Sequence, residues 1–303
     1  MSLKKLLILF IFILCLSALL FAAEDKTQDN TQPSEQQIND FSLAGYAEKG
    51  KKTWDISGKS ADIFGEVVKL KDIVGNMYSE EEDVKLTAQQ GDFDKASGKV
   101  HLEKDVVITT SKGARLTTDS LDWDRKSQVV TTKDKVKIER DNMVIVAVGA
   151  RGEPSLKKVA LNKKVKLDIN PVKPDKDAKG IATTEKVTVT CDGALDVDYE
   201  RNIATFNQNV QVIRLDSVIY SDKMDIYFTS AKVNTDSGKT GSMMGSKINK
   251  ILASGNVKIV RGENISYSQE AVYNALENKI ILNGRPKLVL YSAEDFNNAS
   301  FGN

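Results

Sequence analysis

Short runs of alternating apolar and polar residues, broken by glycine-containing turn signals, cover most of the chain beyond residue 40. Examples of such runs are residues 53–57, 100–102, 136–138 and 257–259. A period of two gives each strand one buried face and one solvated face. The turn signals Ser97-Gly98, Lys112-Gly113 and Asn283-Gly284 fall at hairpin spacing. Because no segment after residue 23 shows a sustained helical period with caps, the pattern predicts an all-β fold of antiparallel strands.

A repeat of about 30 residues is visible when the strands are aligned on their valines. Val106, Val136 and Val165 are spaced in this way. Val210 and Val257 lie further apart because a Gly/Ser-rich insertion, residues 234–250, separates them. Self-similarity of this kind indicates stacked antiparallel units, each of which buries one face against its neighbours.

The charge balance excludes several classes of protein. With 43 basic and 42 acidic residues, the chain lacks the basic excess typical of nucleic-acid binding proteins and polybasic membrane-surface proteins. Hydrophobic residues make up 41% of the chain, which is enough to form a core. A single histidine and two cysteines leave almost no ligands for zinc, haem or iron–sulfur sites, so we expect no metal and no cofactor.

Candidate catalytic residues are few, and each has a simpler interpretation. His101 alternates with Val100 and Leu102, so we expect it on the solvated face of a strand. The acidic run at residues 80–83 is interpreted as a solvated hairpin loop, and the glycines of the insertion lack the strand–loop–helix context of a phosphate-binding loop. We therefore predict that the protein is not an enzyme and has no catalytic residues.

The first 23 residues form a targeting segment. Two lysines precede an uncharged apolar run, residues 6–23, whose length lies between that of a signal peptide and that of a transmembrane anchor. We predict export to the periplasm and favour cleavage, so that the mature chain begins at Ala23 or Glu24. An uncleaved inner-membrane anchor is the alternative. After cleavage Cys191 has no cysteine partner, so no disulfide within the chain is expected.

Two polar segments divide the exported part of the chain. Residues 24–40 have almost no aliphatic side chain and are predicted to be a flexible linker, and residues 170–180 (NPVKPDKDAKG) mark a domain boundary. The predicted bounds are 1–23 for the signal peptide or anchor, 24–40 for the linker, 41–170 for the first module, 171–180 for a second linker, 181–291 for the second module and 292–303 for a loose tail.

Five segments carry a family signature in the first module: residues 41–46 (FSLAGY), 51–61 (KKTWDISGKSA), 98–100, 105–107 and 121–124. Together they resemble the LptC family. In the second module, residues 253–259 (ASGNVKI) and 280–286 (IILNGRP) resemble the LptA/OstA family. These are the periplasmic families of the lipopolysaccharide transport bridge. The resemblance implies two open, twisted β-jellyroll modules in one polypeptide, with an interior that holds the acyl chains of lipid A.

An open sandwich with apolar inner faces either packs them together or leaves a slot between its sheets, and the residues alone leave both possibilities open. The resemblance implies a lipid-binding groove for at least part of the set. The candidates are Val106, Ile108, Leu116, Leu121, Trp123, Val210, Val212, Val218, Tyr220, Met224, Ile226, Val257, Ile259, Ile265 and Tyr267. Ile108, Trp123, Tyr220, Ile226 and Tyr267 are predicted to be central and to line one continuous stripe.

The implied function is that of a non-enzymatic carrier that passes lipopolysaccharide from the inner toward the outer membrane. The implied partners are lipopolysaccharide, the periplasmic domains of an inner-membrane ABC transporter, and an outer-membrane assembly protein or further bridge subunits. The edge-strand residues Lys287 and Val289 are predicted to contact the partner at the C-terminal end by strand addition. End-to-end self-association is a further possibility. Two alternatives stay open: a structural or adhesive exported β-repeat protein with a filled core, and a β-helix enzyme that acts on polysaccharide.

Overall fold

The structure, a computed structural model, describes residues 36–47, 50–78, 83–124, 126–127, 129–153, 158–171, 185–229, 247–274, 277 and 279–291. Its regular secondary structure consists of 17 β-strands, and the pairings between them are antiparallel. None of the residues described here forms a helix long and apolar enough to cross a membrane. The predicted targeting segment, the acidic run at 80–82 and the tail from residue 292 lie outside the described residues. The prediction of an all-β fold is confirmed.

The chain separates into two compact units. Unit 1 comprises Met1–Ile138 and Ala150–Lys157, and unit 2 comprises Glu139–Gly149 and Lys158–Asn303. The first nine strands are β1 (Gln36–Tyr46), β2 (Lys52–Phe64), β3 (Val67–Met77), β4 (Val84–Asp94), β5 (Lys99–Thr110), β6 (Arg115–Asp124), β7 (Val129–Arg140), β8 (Met143–Glu153) and β9 (Lys158–Ile169). The last eight are β10 (Val187–Cys191), β11 (Leu195–Asp198), β12 (Ile203–Ile213), β13 (Ser217–Thr229), β14 (Lys247–Arg261), β15 (Asn264–Asn274), β16 (Lys279–Asn283) and β17 (Lys287–Val289).

Unit 1 is a meander in which each strand from β1 to β6 pairs with the next. Alternate residues of these strands form its core, which includes Trp54, Phe93, Leu102 and Trp123. Gly45 lies opposite Trp54 across the β1–β2 pair, and a Cβ at this position would overlap the indole ring. The glycine therefore makes the space in which Trp54 is buried.

Unit 2 contains two interrupted strands. β10 and β11 both pair with β9 on one side and with β12 on the other, so they follow one another along the same line. The next pairs are β12–β13, β13–β14 and β14–β15. β16 and β17 both pair with β15. Asn283-Gly284 therefore does not close a hairpin, as its sequence predicted, but interrupts a strand line, with positive φ at Gly284 and Arg285.

The valine repeat coincides with the most deeply buried positions of the protein. Val106, Val136, Val165, Val210 and Val257 are each between 0% and 1% exposed. Most of them follow residues with positive φ, such as Lys104-Asp105, Gln208-Asn209 and Gly255-Asn256. Extra residues of this kind form β-bulges, which bend the strand and re-aim the next side chain. At Val106, Val210 and Val257 the repeat predicted from the sequence therefore marks a bulge followed by a buried valine.

The domain bounds proposed from the sequence differ from the division into units. The division between the units falls within β7, within β8 and again before β9, whereas the sequence places a single boundary at residues 171–180. β1 begins at Gln36, inside the segment predicted to be a linker. Residues 172–184, which contain nearly all of the second predicted linker, lie outside the described residues. The domain bounds stay a prediction.

Candidate functional site

The five candidate groove residues of the first module share one face of unit 1. Val106 lies opposite Thr118, and Ile108 lies opposite Leu116, on β5 and β6. Leu121 and Trp123 lie opposite Leu102 and Val100 on the same pair of strands. We define the inner face of each unit as the face that carries its buried side chains. Val106, Leu121 and Trp123 are buried, whereas Ile108 and Leu116 are partly exposed.

Six of the ten candidates in the second module share the inner face of unit 2. They are Val210, Val212, Met224, Ile226, Val257 and Ile259. Met224 lies opposite the buried Phe206, and Ile259 lies opposite Ile219, which in turn lies opposite Val212. Val210, Met224 and Val257 are buried, so these three belong to the packed centre of the unit. Val212, Ile226 and Ile259 remain partly exposed.

The other four candidates, Val218, Tyr220, Ile265 and Tyr267, lie on the opposite face, and their predicted inner position is wrong. Residues that pair directly across strands point to the same face. Tyr220 pairs with Lys258, and Tyr267 pairs with the same lysine from the other side, whereas Ile259, the neighbour of Lys258, faces inward. The bulges shift the alternation within each strand, so apolar spacing alone assigned these residues to the wrong face.

Sequence reasoning also missed several residues of the inner face. Two cross-strand rows flank the buried centre of unit 2. One row is Val212, Ile219, Ile259, Ser266 and Leu288, and the other is Ile226, Ile251, Tyr273 and Ile280. The other members of both rows are partly exposed, and exposure reaches 47% at Leu288 and 58% at Ile280. The inner face is therefore closed at its centre and leaves apolar side chains accessible on both sides, most of all along β16 and β17.

The inner face of unit 2 also carries two buried serine hydroxyl groups. Ser221 and Ser268 are buried on the inner face, close to Val210 and Val257. Within the described part of the chain, neither Oγ atom has a hydrogen-bond partner. A buried hydroxyl without a partner is unfavourable in an apolar environment. These two groups can therefore donate a hydrogen bond to a water molecule or to a polar group that enters the inner face.

Asp225, between the inward residues Met224 and Ile226, has a structural role on the outer face. Thr205 Oγ1 donates a hydrogen bond of 2.6 Å to its carboxylate, and Lys223 Nζ donates another of 2.9 Å. The side chain is buried although it points away from the inner face. The hydrogen bond from Thr205 on β12 to this buried carboxylate on β13 stabilises the pairing of the two strands.

The single histidine lies on the outer face of unit 1, as its alternation predicts. His101 pairs with Asp92 on β4 and with Asp122 on β6, and its Nδ1 lies 2.6 Å from Asp122 Oδ1. The hydrogen bond with Asp122 raises the pKa of His101. His101, Asp92 and Asp122 line an open concavity of about 650 Å³, and Arg151 also lines it. No group of three or more potential metal ligands occurs among the residues that the structure describes.

The predicted edge residues belong to the last strand described. Lys287 pairs with Tyr267 and Val289 pairs with Ile265, so β17 follows β15 over only three residues. Lys287 is exposed and Val289 is partly buried. A strand of this length contributes few backbone hydrogen bonds, and it is a suitable place for another strand to pair.

Two family models match the chain in succession. Residues 6–170 match a family described as lipopolysaccharide-assembly, LptC-related, and residues 188–302 match the LptA/LptD N-terminal domain of LPS transport proteins. No curated protein sequence matches the chain. Among solved structures, the chain is similar to LptH of Pseudomonas aeruginosa, described as the LptA homologous periplasmic component of the conserved lipopolysaccharide transport device. The two sequences are 12% identical, and the match covers 69% of this chain and 95% of that chain. The TM-score is 0.23, so no structural conclusion is based on this similarity.

The two matches confirm both resemblances, and the antiparallel strands of the structure agree with the all-β fold class that the resemblances imply. Proteins of these families are transport components that are periplasmic or anchored in the inner membrane, and they act with lipopolysaccharide and other components of the same system. Because the LptC-related match spans more than half of the sequence, the protein belongs to the LptC-related lipopolysaccharide-assembly family and carries an LptA/LptD N-terminal domain in its second half.

Proposed function

We propose that the protein is a non-enzymatic carrier that binds the acyl chains of lipid A on the inner faces of its units and passes lipopolysaccharide from the inner toward the outer membrane. The observation that carries this proposal is the pair of accessible apolar rows in unit 2, which end at Leu288 and Ile280. Apolar side chains that remain in contact with water along these rows give an acyl chain a surface on which to bind.

The apolar rows are sufficient to bind an acyl chain without any covalent reaction. Each methylene group removed from water contributes about 0.8 kcal/mol, so six methylenes contribute about 5 kcal/mol before the loss of ligand motion is counted. This gain is large enough to hold an acyl chain and small enough to release it to a neighbouring inner face. The hydroxyl groups of Ser221 and Ser268 would offer hydrogen bonds to polar groups on the lipid.

Site-specific photo-crosslinking tests the proposal. A photoreactive side chain at Ile226, on the inner face, is expected to capture lipopolysaccharide in cells. The same group at the adjacent Tyr227, on the outer face of the same strand, is the matched control and is expected to capture none. Ile251 and Lys250 form a second pair of this kind on β14. Equal capture at both members of each pair, or no capture at any of the four, would contradict the groove and favour a structural protein with a filled core.

The carrier is further proposed to meet its partners by strand addition at β17. Successive backbone N–H groups of a strand point to opposite sides, so one of the variants Lys287→Pro and Leu288→Pro removes a donor directed at β15 and the other removes a donor directed away from it. The variant that keeps β17 paired with β15 is expected to lose association with a purified partner subunit or a second copy, as measured by pull-down. Full association of both variants, with native circular dichroism, would exclude this mode of assembly.

Export is proposed to depend on the N-terminal segment, with cleavage by a signal peptidase. The mature protein is then expected to begin at Ala23 or Glu24 and to appear in the soluble periplasmic fraction. Mass spectrometry of the intact protein, combined with membrane fractionation, measures both properties. A chain that retains Met1 and sediments with the membrane would instead identify an inner-membrane anchor.

A further inference from the structure

The lower half of β15 reverses the usual orientation of a half-buried strand. Ile265 and Tyr267 point to the outer face, whereas Ser266 and Ser268 point to the inner face. A strand with one solvated face normally places its apolar residues inside and its polar residues outside. Sequences that break such a local rule often do so at functional positions. The reversed strand therefore directs attention to the outer face of unit 2.

The outer face carries an apolar row that crosses five strands. The row consists of Ile213, Val218, Val260, Ile265 and Val289, each paired directly with the next across β12, β13, β14, β15 and β17. Adjacent strands lie about 4.8 Å apart, so the row extends over roughly 19 Å. Leu215, at 88% exposure, lies in the turn beside it. Ile213 is exposed and the other four members of the row are partly exposed. A continuous apolar strip that remains accessible to solvent is typical of an interaction surface.

A second row, two residues further along each strand, combines tyrosines with lysines. Its members are Gln211, Tyr220, Lys258, Tyr267 and Lys287, again paired directly across the same five strands. The two tyrosines are 39% and 40% exposed, and the Lys258 ammonium group lies 5.7 Å from the centre of the Tyr220 ring. We name the two rows together the outer band.

The outer band is positively charged. Its ten residues include two lysines and no carboxylate. Two ion pairs lie at the adjacent strand ends: Arg261 Nε lies 3.0 Å from Asp216 Oδ2, and Arg214 forms an ion pair with Glu185. The nearest carboxylate along β13, that of Asp222, accepts a hydrogen bond from Asn256. The lysines of the band are therefore available to an anionic partner.

We propose that the outer band binds the surface of a membrane that contains anionic phospholipid. Tyrosine is enriched at the level of lipid headgroups, apolar side chains enter the acyl boundary, and lysines near an anionic surface are attracted to phosphate. The outer band presents these three groups side by side. A soluble acidic saccharide would use the tyrosines and lysines but would leave the apolar row in water, so the membrane surface fits the whole band better. This contact is separate from lipid binding on the inner face.

Fluorescence quenching in vesicles tests the proposal with the full chain. Tyr267→Trp places a reporter in the outer band, and the two natural tryptophans, Trp54 and Trp123, are buried and supply the background from the unsubstituted chain. We expect lipids with brominated acyl chains to quench the introduced tryptophan in vesicles of phosphatidylcholine with phosphatidylglycerol. Thr109→Trp is the matched control, because Thr109 pairs with Lys85 and Arg115 on an outer face and so has cationic neighbours without the apolar row. No quenching is expected there.

Removal of the two lysines provides the second measurement. In a chain that also carries Lys258→Gln and Lys287→Gln, the ratio of vesicle-bound to free protein is expected to fall about 30-fold in the anionic vesicles. Quenching of the reporter measures this ratio. Circular dichroism checks that the fold is kept. The proposal would be overturned by equal quenching at both reporter positions or by an absence of quenching in anionic vesicles. It would also be overturned if, without vesicles, protein concentration or a soluble acidic oligosaccharide changed the emission of the reporter. None of these outcomes depends on capture of lipopolysaccharide by the inner face.

Discussion

Replacement of Phe206 by alanine is expected to lower the free energy of unfolding of unit 2 by about 3–5 kcal/mol. Phe206 is 2% exposed and lies between Leu195 and Met224, which are also buried, across β11, β12 and β13. Removal of the ring leaves a cavity that these neighbours cannot fill, because all three positions are fixed by strand pairing. Urea denaturation followed by circular dichroism measures the loss.

Leu215→Ala is the control for this prediction. Leu215 is the most exposed of the large hydrophobic residues in the described part of the chain, so its removal is expected to change stability by less than about 0.5 kcal/mol. The fluorescence of Trp54 and Trp123, both in unit 1, shows whether unit 1 is affected as well. Similar denaturation midpoints for the Phe206 and Leu215 variants would mean that the packing around Phe206 is not as described.

An aspartate at Val257 is expected to unfold unit 2, whereas an aspartate at Ile259 is expected to keep the fold and prevent capture of lipopolysaccharide. The two residues lie on the same face of β14, and only Val257 is fully buried. A charge without a partner at the buried position costs about 3–5 kcal/mol, which is comparable with the whole stability of many domains. At Ile259 the carboxylate stays in contact with water and makes the apolar row unfavourable for an acyl chain.

Circular dichroism and lipopolysaccharide recovered with the purified protein measure the two effects separately. Lys258→Asp, on the outer face between the two positions, serves as the control and is expected to change neither the fold nor the lipid content. If the Ile259 variant unfolds as completely as the Val257 variant, the inner face is a filled core and not a groove. If it folds and still retains lipopolysaccharide, the lipid lies elsewhere.

The class of fold and the positions that hold it together follow from the alternation and the valine repeat alone. Period-two alternation leaves strands as the only regular element, because a helix with that pattern would have no continuous apolar face. The valine repeat identified Val106, Val136, Val165, Val210 and Val257, and these are among the most deeply buried side chains of the structure. The resemblance carried by short segments such as 253–259 was also sufficient to identify the families.

The face to which a given residue points was decided only by the tertiary structure. In β13 the residues 218–220 are all apolar, so alternation within the strand does not distinguish its two faces. The assignment comes from the neighbours: Ile219 pairs with Val212 and Ile259, and the bulges at Gln208-Asn209 and Gly255-Asn256 set the register of those pairs. Because one extra residue exchanges the two faces of a strand, a local pattern cannot assign them once bulges are present. For the same physical reason, Tyr220 and Tyr267 belong to the outer band, and Ile219 and Leu288 belong to the inner face.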